Sequence, residues 1–156
     1  MKRHFLRLAL ALGLSALLPA TQSLAANERG SAEEATALVK KGIAFLKANG
    51  NEATYAAISD PKGQFVDKDL YLFIFDASGK TLAHGANAKL IGKNLTEMKD
   101  ADDKYFIKEF LSVAAKKGKG WVDYKWPHPI TKNIEHKSTY IEKLDDGSII
   151  GCGIYK

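Results

Sequence analysis

Cysteine is almost absent from this chain, since its 156 residues contain one, Cys152. A single cysteine cannot form an intramolecular disulfide, so the fold must be stabilised by packing alone. Covalent haem in its usual form needs two cysteines and is excluded as well. Cys152 lies in an apolar run without a basic neighbour in sequence. We therefore expect a buried small residue here rather than a nucleophile.

An apolar run long enough to span a bilayer is also missing from the N-terminus. The uncharged stretch 8–18 is shorter than the roughly 20 residues that a membrane helix needs. Three basic residues precede it, and small residues at 23 and 25 follow, a pattern typical of a signal peptide. We predict a leader over 1–25, cleaved after Ala25, and a periplasmic domain over 26–156. A retained signal anchor is the alternative.

The other end of the chain favours binding over catalysis. Lys156 directly follows an apolar strand that contains glycines, so we expect a free-standing domain without a membrane anchor or an attached catalytic or signalling module. The length of 26–156 suits one domain with one core.

A strong excess of charge of either sign is missing once the leader is removed. The formal charge is +5, but Lys2, Arg3 and Arg7 belong to the leader, and subtracting them from 23 basic residues leaves 20 against 18 acidic residues. The remaining charges are mixed in sign and form no basic stripe for a phosphate backbone. We therefore expect no nucleic-acid partner.

Sequence motifs of catalysis and of cofactor binding are missing too. There is no paired-carboxylate motif with an obvious role, no glycine-rich phosphate loop and no nucleophile elbow. His128 and His136, with Glu135 or Asp123 nearby, suggest a metal site, but a structural zinc site usually has four protein ligands. We predict no enzymatic activity, no cofactor and no metal.

The chain does contain clear helix signals. Ser31 and Glu34 form a capping box, and apolar residues then recur at helical spacing until Gly50. A second short helix is predicted over 52–58. A third is predicted from near Asp102, where acidic residues suit the positive end of a helix, to 116–118.

Strand signals occupy the remainder of the chain. The run 70–75 is aromatic and apolar, as in a strand buried on both faces. Four further strands are predicted over 81–84, 121–126, 138–144 and 149–155, with a long hairpin arm over 127–137 and a tight turn over 145–148 that uses Gly147. The order predicts an α+β fold: a five-stranded antiparallel sheet with a long N-terminal helix and further helices packed on one face.

Five segments of this layout resemble the single Cache family of PAS-like extracellular sensor domains. They are the first hairpin and its turn over 69–84, the connection 87–95, the strand and arm over 118–129, and the last two strands around 137–140 and 151–155. The resemblance extends over nearly the whole mature chain, from about Ala32 to Tyr155, and it depends on the order and spacing of these segments. The resemblance implies a sensor for small extracellular solutes, often short carboxylates. Family members that are receptor ectodomains continue beyond the position of Tyr155 into a membrane helix.

Aromatic residues are concentrated in two adjacent predicted strands, with Trp121, Tyr124 and Trp126 in one and Tyr140 in the next. Strand alternation directs Tyr124 and Trp126 to one face and Trp121 to the other. We predict that Tyr124 and Trp126 line a ligand pocket, that Tyr71 contributes to its wall, and that Trp121 packs under the helices. The alternative is that these are ordinary core or surface aromatics.

Three residues are candidate partners for an anionic ligand. A carboxylate in a partly dry pocket needs charge-assisted donors, and we predict Lys137 beside the hydroxyl of Tyr140, together with His84. Lys137 could instead extend to solvent, and His84 could bond a backbone carbonyl. Gly151 and Gly153 share one strand face and would leave cavity space or allow a ligand to approach the backbone.

Two functions remain open from the sequence. The first is a soluble sensor that binds a small organic anion and then docks onto a membrane histidine kinase, chemoreceptor or transporter. The second is an accessory module without a ligand that contacts its partner through the 127–137 arm.

Overall fold

A computed structural model describes residues 29–156, and the predicted leader with its cleavage point after Ala25 lies outside them. Helix α1 spans Ala32–Ser59 and helix α2 spans Phe106–Lys117, with a short 3₁₀ turn at Ala88–Leu90. The strands are β1 (Val66–Asp67), β2 (Leu70–Phe75), β3 (Thr81–His84), β4 (Lys119–Pro127), β5 (Ile134–Lys143) and β6 (Ile149–Tyr155). Within residues 29–156, no helix combines the length and apolarity that crossing a bilayer requires.

The strands form one antiparallel sheet in the order β1-β2-β6-β5-β4, and β3 also pairs with β2. The predicted α+β class is confirmed. The sheet has six strands rather than the five expected, because the two-residue β1 pairs with the start of β2, with Val66 opposite Tyr71. Central β2 is buried along its whole length, as its unbroken apolar run predicted.

The two helices cover opposite faces of the sheet, so the expectation that all helices lie on one face was wrong. Leu70, Leu72 and Ile74 pack in the cluster that contains α1, whereas Phe73 and Phe75 pack in the cluster that contains α2. Since β2 is apolar on both faces, a layer on one side alone would leave half of its side chains in water.

Helix α1 begins as predicted and continues past its predicted end. Ser31 and Glu34 exchange the two hydrogen bonds of a capping box. Gly50 has a φ of 78° and kinks the helix, and the predicted helix over 52–58 is the continuation. Buried residues lie on both sides of the kink, among them Val39 and Ile58, so packing on the sheet holds the two halves together.

Helix α2 begins at Phe106, four residues after the predicted start. The carboxylate of Asp100 accepts the backbone amides of Asp102 and Lys104, which forms a local turn in place of the first helical turn. The helix ends at Gly118, as predicted, with a φ of 73°.

The predicted arm over 127–137 is mostly strand. β4 extends to Pro127 and β5 begins at Ile134, so the loop between them is confined to 128–133. The turn at 145–148 is confirmed, and Gly147 has the positive φ, 85°, that the turn requires.

Candidate functional site

A cleft of about 330 Å³ is lined by residues of β2, β3 and β4 and of the loops that follow β3 and β4. We call it the strand-end cleft. Strands contribute four of its lining residues, Tyr71, His84, Trp126 and Pro127. Residues outside the strands complete its rim: Ala86, Asn87, Lys89, His128, Pro129 and Lys132. Its size falls within the range of small-molecule sites, and its lining contains no acidic residue among those that the structure describes.

Lys137 lies directly behind the Tyr71 wall of this cleft. Its side chain is 1 % exposed, so the alternative that it extends to solvent is excluded. The Nζ atom donates to the Tyr71 hydroxyl at 2.6 Å and to the Tyr155 hydroxyl at 3.1 Å. It also lies 4.0 Å from the centre of the Tyr71 ring, close enough for a cation–π contact. Within residues 29–156 it forms no ion pair, and the third N–H of an ammonium would find no acceptor.

The sequence around Lys137 explains why this side chain can be buried. Lys137 and Thr139 share one face of β5, and Thr139 pairs with Gly153 on β6. A Cβ atom at Gly153 would clash with Lys137 and Thr139, so the missing side chain provides the space for the lysine stem. The predicted cavity space at Gly153 is therefore filled by protein. Burial lowers the pKa of Lys137 to about 7.

His84 is 5 % exposed and lines the cleft as a neutral imidazole. Its Nδ1 accepts the backbone amides of Ala86 at 3.2 Å and Asn87 at 3.0 Å, which places the proton of the neutral ring on Nε2. Burial, and then the charge of Lys137, lower the pKa of His84 to about 3. The backbone partners of His84 are amides, so the alternative that it bonds a backbone carbonyl is not what the structure has. Since Nε2 makes no hydrogen bond to residues 29–156, it is available as a donor.

His128, on the opposite rim, repeats the arrangement of His84. Its Nδ1 accepts the amides of Ile130 and Thr131, both at 3.2 Å, and its side chain is 2 % exposed. Its Nε2 lies 3.4 Å from Oδ2 of the buried Asp69. The other oxygen of Asp69 accepts the amide of Gly30 at 2.7 Å. His128 thus connects the cleft rim to the residues that precede α1.

The space between the sheet and α2 is nearly filled, which corrects the expectation of a hollow there. It measures about 10 Å³, hardly enough for one water. Tyr124 packs in this layer, and its ring stacks on that of Phe106 with 4.5 Å between the ring centroids. Its hydroxyl lies 3.1 Å from Oγ1 of Thr139. The ring of Phe73 occupies the position that a side chain at Gly151 would take. Of the two predicted aromatics on β4, Trp126 therefore borders the open cleft and Tyr124 lies deeper.

Two predicted aromatics lie on the other face of the sheet. Tyr140 belongs to the α1 cluster and donates to Glu142 at 2.9 Å, so the prediction that it stands beside Lys137 was wrong. Trp121 is on that face as expected, but it is 41 % exposed rather than packed under helices. Helix α1 lies mainly over β2, β3 and β6, which leaves this part of β4 uncovered.

The residues considered for metal binding and nucleophilic attack do not assemble into a site. His136 is exposed, whereas His128 is buried against Asp69. Within residues 29–156, no three metal-ligating side chains cluster. Cys152 is buried in the α1 cluster, and burial raises the pKa of its thiol to about 12. It therefore lacks the thiolate character and the access that a nucleophile needs.

Sequence reasoning missed three residues of the site: Asp69, His128 as part of the cleft rim, and Tyr155. Tyr155 lies on the same face of its strand as Gly151 and Gly153, so strand alternation in the sequence could have indicated it. Its hydroxyl donates to the Pro127 carbonyl at 2.9 Å. Asp69 left no signal in the sequence, because its partners Gly30 and His128 are 39 and 59 residues away.

Comparison with known proteins agrees with this fold and with the predicted resemblance. Residues 9–156 match the sequence profile of a family described as single Cache domain 2. Among characterised relatives, the methyl-accepting chemotaxis protein McpP of Pseudomonas putida is 34 % identical over 90 residues, which are 57 % of this chain and 16 % of McpP. The sensor histidine kinase MctS of Rhizobium johnstonii is 33 % identical over 89 residues, which are 56 % of this chain and 19 % of MctS. The matches thus span less than a fifth of these relatives' length.

Solved structures show the same architecture. A methyl-accepting chemotaxis protein from Vibrio parahaemolyticus superposes with a TM-score of 0.69 at 24 % identity, covering 79 % of this chain and 86 % of that one. A Cache chemosensory domain described for its carboxylic acid recognition superposes with a TM-score of 0.63 at 26 % identity, covering 79 % of this chain and 86 % of that one. Sheet topology, helix placement and the profile match lead to one assignment: the chain belongs to the single Cache domain 2 family of sensor domains.

Proposed function

We propose that this domain binds a small organic carboxylate in the strand-end cleft and reports its presence to a membrane signalling partner. The observation that carries the proposal is Lys137, a fully buried lysine without an ion-pair partner in residues 29–156. An unpaired buried charge is strongly unfavourable, and a carboxylate in the adjacent cleft would supply the missing opposite charge.

The donors around the cleft suit the two oxygens of a carboxylate. The proton of the Tyr155 hydroxyl is used by the Pro127 carbonyl. That of Tyr71 has only a 3.4 Å contact with Tyr155, so it can turn to a ligand. His84 offers its Nε2–H from the same wall. The bound anion would thus accept two hydrogen bonds while Lys137 supplies the charge behind them.

The relatives support a sensory role for such binding. They are a chemotaxis protein and a sensor histidine kinase, and one structural neighbour at 26 % identity is described for its recognition of carboxylic acids. The described lining residues of the cleft include no serine, threonine, cysteine or carboxylate side chain, so we propose binding without chemistry.

Thermal melts of the purified protein against a panel of short carboxylates test the proposal. A ligand at 100 times its Kd adds about 2.7 kcal/mol to the free energy of unfolding, which raises the melting temperature by several degrees. Tyr71→Phe and Tyr140→Phe form a matched pair, because each removes one hydroxyl and the two hydroxyls lie on opposite faces of the sheet. We expect Tyr71→Phe to weaken the response about tenfold or more and Tyr140→Phe to leave it unchanged.

If no carboxylate shifts the melting temperature, or if both tyrosine variants respond like the wild type, the proposed site is wrong. The first outcome would favour the accessory module without a ligand. Its contact surface would be the tip of the arm, where Ile130 and Ile134 are about half exposed.

Location and output are part of the same proposal. A periplasmic protein should carry the N-terminus created by cleavage after Ala25, which intact mass spectrometry of the exported protein would show.

The partner we propose is a membrane histidine kinase, chemoreceptor or transporter. Cross-linking in membranes should then give products that change when the identified carboxylate is added, and identical products with and without it would contradict signal transfer.

A further inference from the structure

We propose that the ligand carries a second acid group, held by Lys89 and Lys132 at the cleft rim, so that the site selects a four-carbon dicarboxylate over a monocarboxylate. This inference rests on the proposed function, since it assumes that one carboxylate occupies the inner end near Tyr71 and Lys137. It adds the outer end of the same cleft, which that function does not need.

The cationic groups lie at two levels of the cleft. Lys137 is behind the inner wall and does not reach the surface, whereas Lys89 and Lys132 are exposed on the rim. They approach from different elements, Lys89 from the 3₁₀ turn after β3 and Lys132 from the loop after β4. Neither forms an ion pair with residues 29–156, and no described lining residue is acidic. A monocarboxylate paired with Lys137 would leave both rim charges without a counter-ion.

The volume of the cleft agrees with a ligand larger than the smallest acids. With about 30 Å³ for each water-sized group, a two-carbon acid fills roughly 100 Å³ and a four-carbon diacid roughly 200 Å³. Sites usually enclose most of a ligand's surface, and a cleft of about 330 Å³ is better filled by the larger molecule.

Lys132 lies at the cleft rim in a turn, where its backbone amide donates to the His128 carbonyl. Its φ is 65°, in the left-handed region where glycine or asparagine is more usual than lysine. Its Nζ donates to the Pro129 carbonyl, which keeps the ammonium at the rim with further N–H groups available.

Titration calorimetry with succinate and butyrate tests the inference, because the two acids share a four-carbon chain and differ by one terminal carboxylate. At neutral pH and matched ionic strength, we expect succinate to bind the wild-type protein at least tenfold more tightly than butyrate. The double variant Lys89→Gln and Lys132→Gln should remove most of this difference, because it should weaken succinate binding far more than butyrate binding. The variants should fold normally, since both side chains are exposed.

A second double variant, Lys116→Gln and Lys117→Gln, controls for net charge, since these exposed lysines lie at the end of α2 outside the cleft lining. It should preserve the preference for succinate. The inference is overturned if butyrate binds as tightly as succinate, or if the control variant loses the preference to the same degree. If neither acid binds and no other short carboxylate stabilises the protein, the proposed function itself fails.

Discussion

We expect the stability of the wild-type protein to rise between pH 7 and pH 9, and replacement of Lys137 by methionine to abolish this rise. Burial lowers the pKa of Lys137 from 10.5 to about 7 in the folded protein. Between these two values the unfolded chain holds a proton that the folded protein has released, so the free energy of unfolding increases with pH. Well below pH 7, Lys137 is protonated in both the folded and the unfolded state, so the folded protein keeps the full unfavourable free energy of a buried ammonium.

The size of this effect follows from the shift. One pKa unit corresponds to about 1.4 kcal/mol, and a group with a folded pKa near 7 gains about 2 kcal/mol from pH 7 to pH 9. Other shifted groups contribute little in this window. The pKa of His84 is lowered to about 3, so its effect is nearly complete by pH 7. The pKa of Cys152 is raised from 9.0 to about 12, so ionisation of this thiol in the unfolded chain begins near pH 8 and lowers stability by only about 0.4 kcal/mol at pH 9.

Urea unfolding followed by circular dichroism at pH 7, 8 and 9, at constant ionic strength, measures the effect. Methionine fills the volume of the lysine stem without a titrating group, so its curve should be flat within about 0.5 kcal/mol. Lys116→Met is the exposed control and should rise like the wild type. Parallel curves for the wild type and Lys137→Met would refute the claim that this amine is desolvated.

The remaining predictions concern the same buried groups. If a carboxylate pairs with Lys137, binding at pH 8 should take up nearly one proton, seen as a dependence of the calorimetric enthalpy on the ionisation enthalpy of the buffer; no uptake would contradict the pairing. Gly153→Ala should lower stability by about 2 kcal/mol and abolish the carboxylate response, since its Cβ would displace the lysine stem. Gly50→Ala, with no neighbour within 4 Å, should only strain the backbone and keep the response in the same melts. Asp69→Ala should destabilise by about 2 kcal/mol in urea, and the exposed Asp67→Ala by less than 0.5.

Local signals in the sequence were sufficient for most of the secondary structure. The capping box at Ser31, the apolar run of β2 and the positive φ of Gly147 each depend on residues close together in the chain, and all three are confirmed. The start of α2 was misplaced because side-chain hydrogen bonds of Asp100 compete with the first helical turn. The prediction that all helices lie on one face was wrong because β2 is apolar on both faces, and each face needs its own covering layer.

The aromatic residues show where reasoning from the sequence stops. Alternation along β4 correctly placed Tyr124 and Trp126 on one face and Trp121 on the other. Which residue meets open space depends on how far α1 and α2 extend over the sheet, and alternation carries no information about that. Tyr140 was placed beside Lys137 although the two differ by an odd number of positions on one strand, which sends them to opposite faces.

The sequence by itself determined the α+β class of the fold and an antiparallel sheet, and it identified Lys137 and His84 as candidate site residues. Only the tertiary structure decided that Lys137 is desolvated and that Asp69, His128 and Tyr155 belong to the same end of the sheet. The physical reason is that desolvation depends on what packs across a group. For Lys137, that is a glycine on β6 and two tyrosines, one of them 66 positions away, which are brought together by the pairing of distant strands.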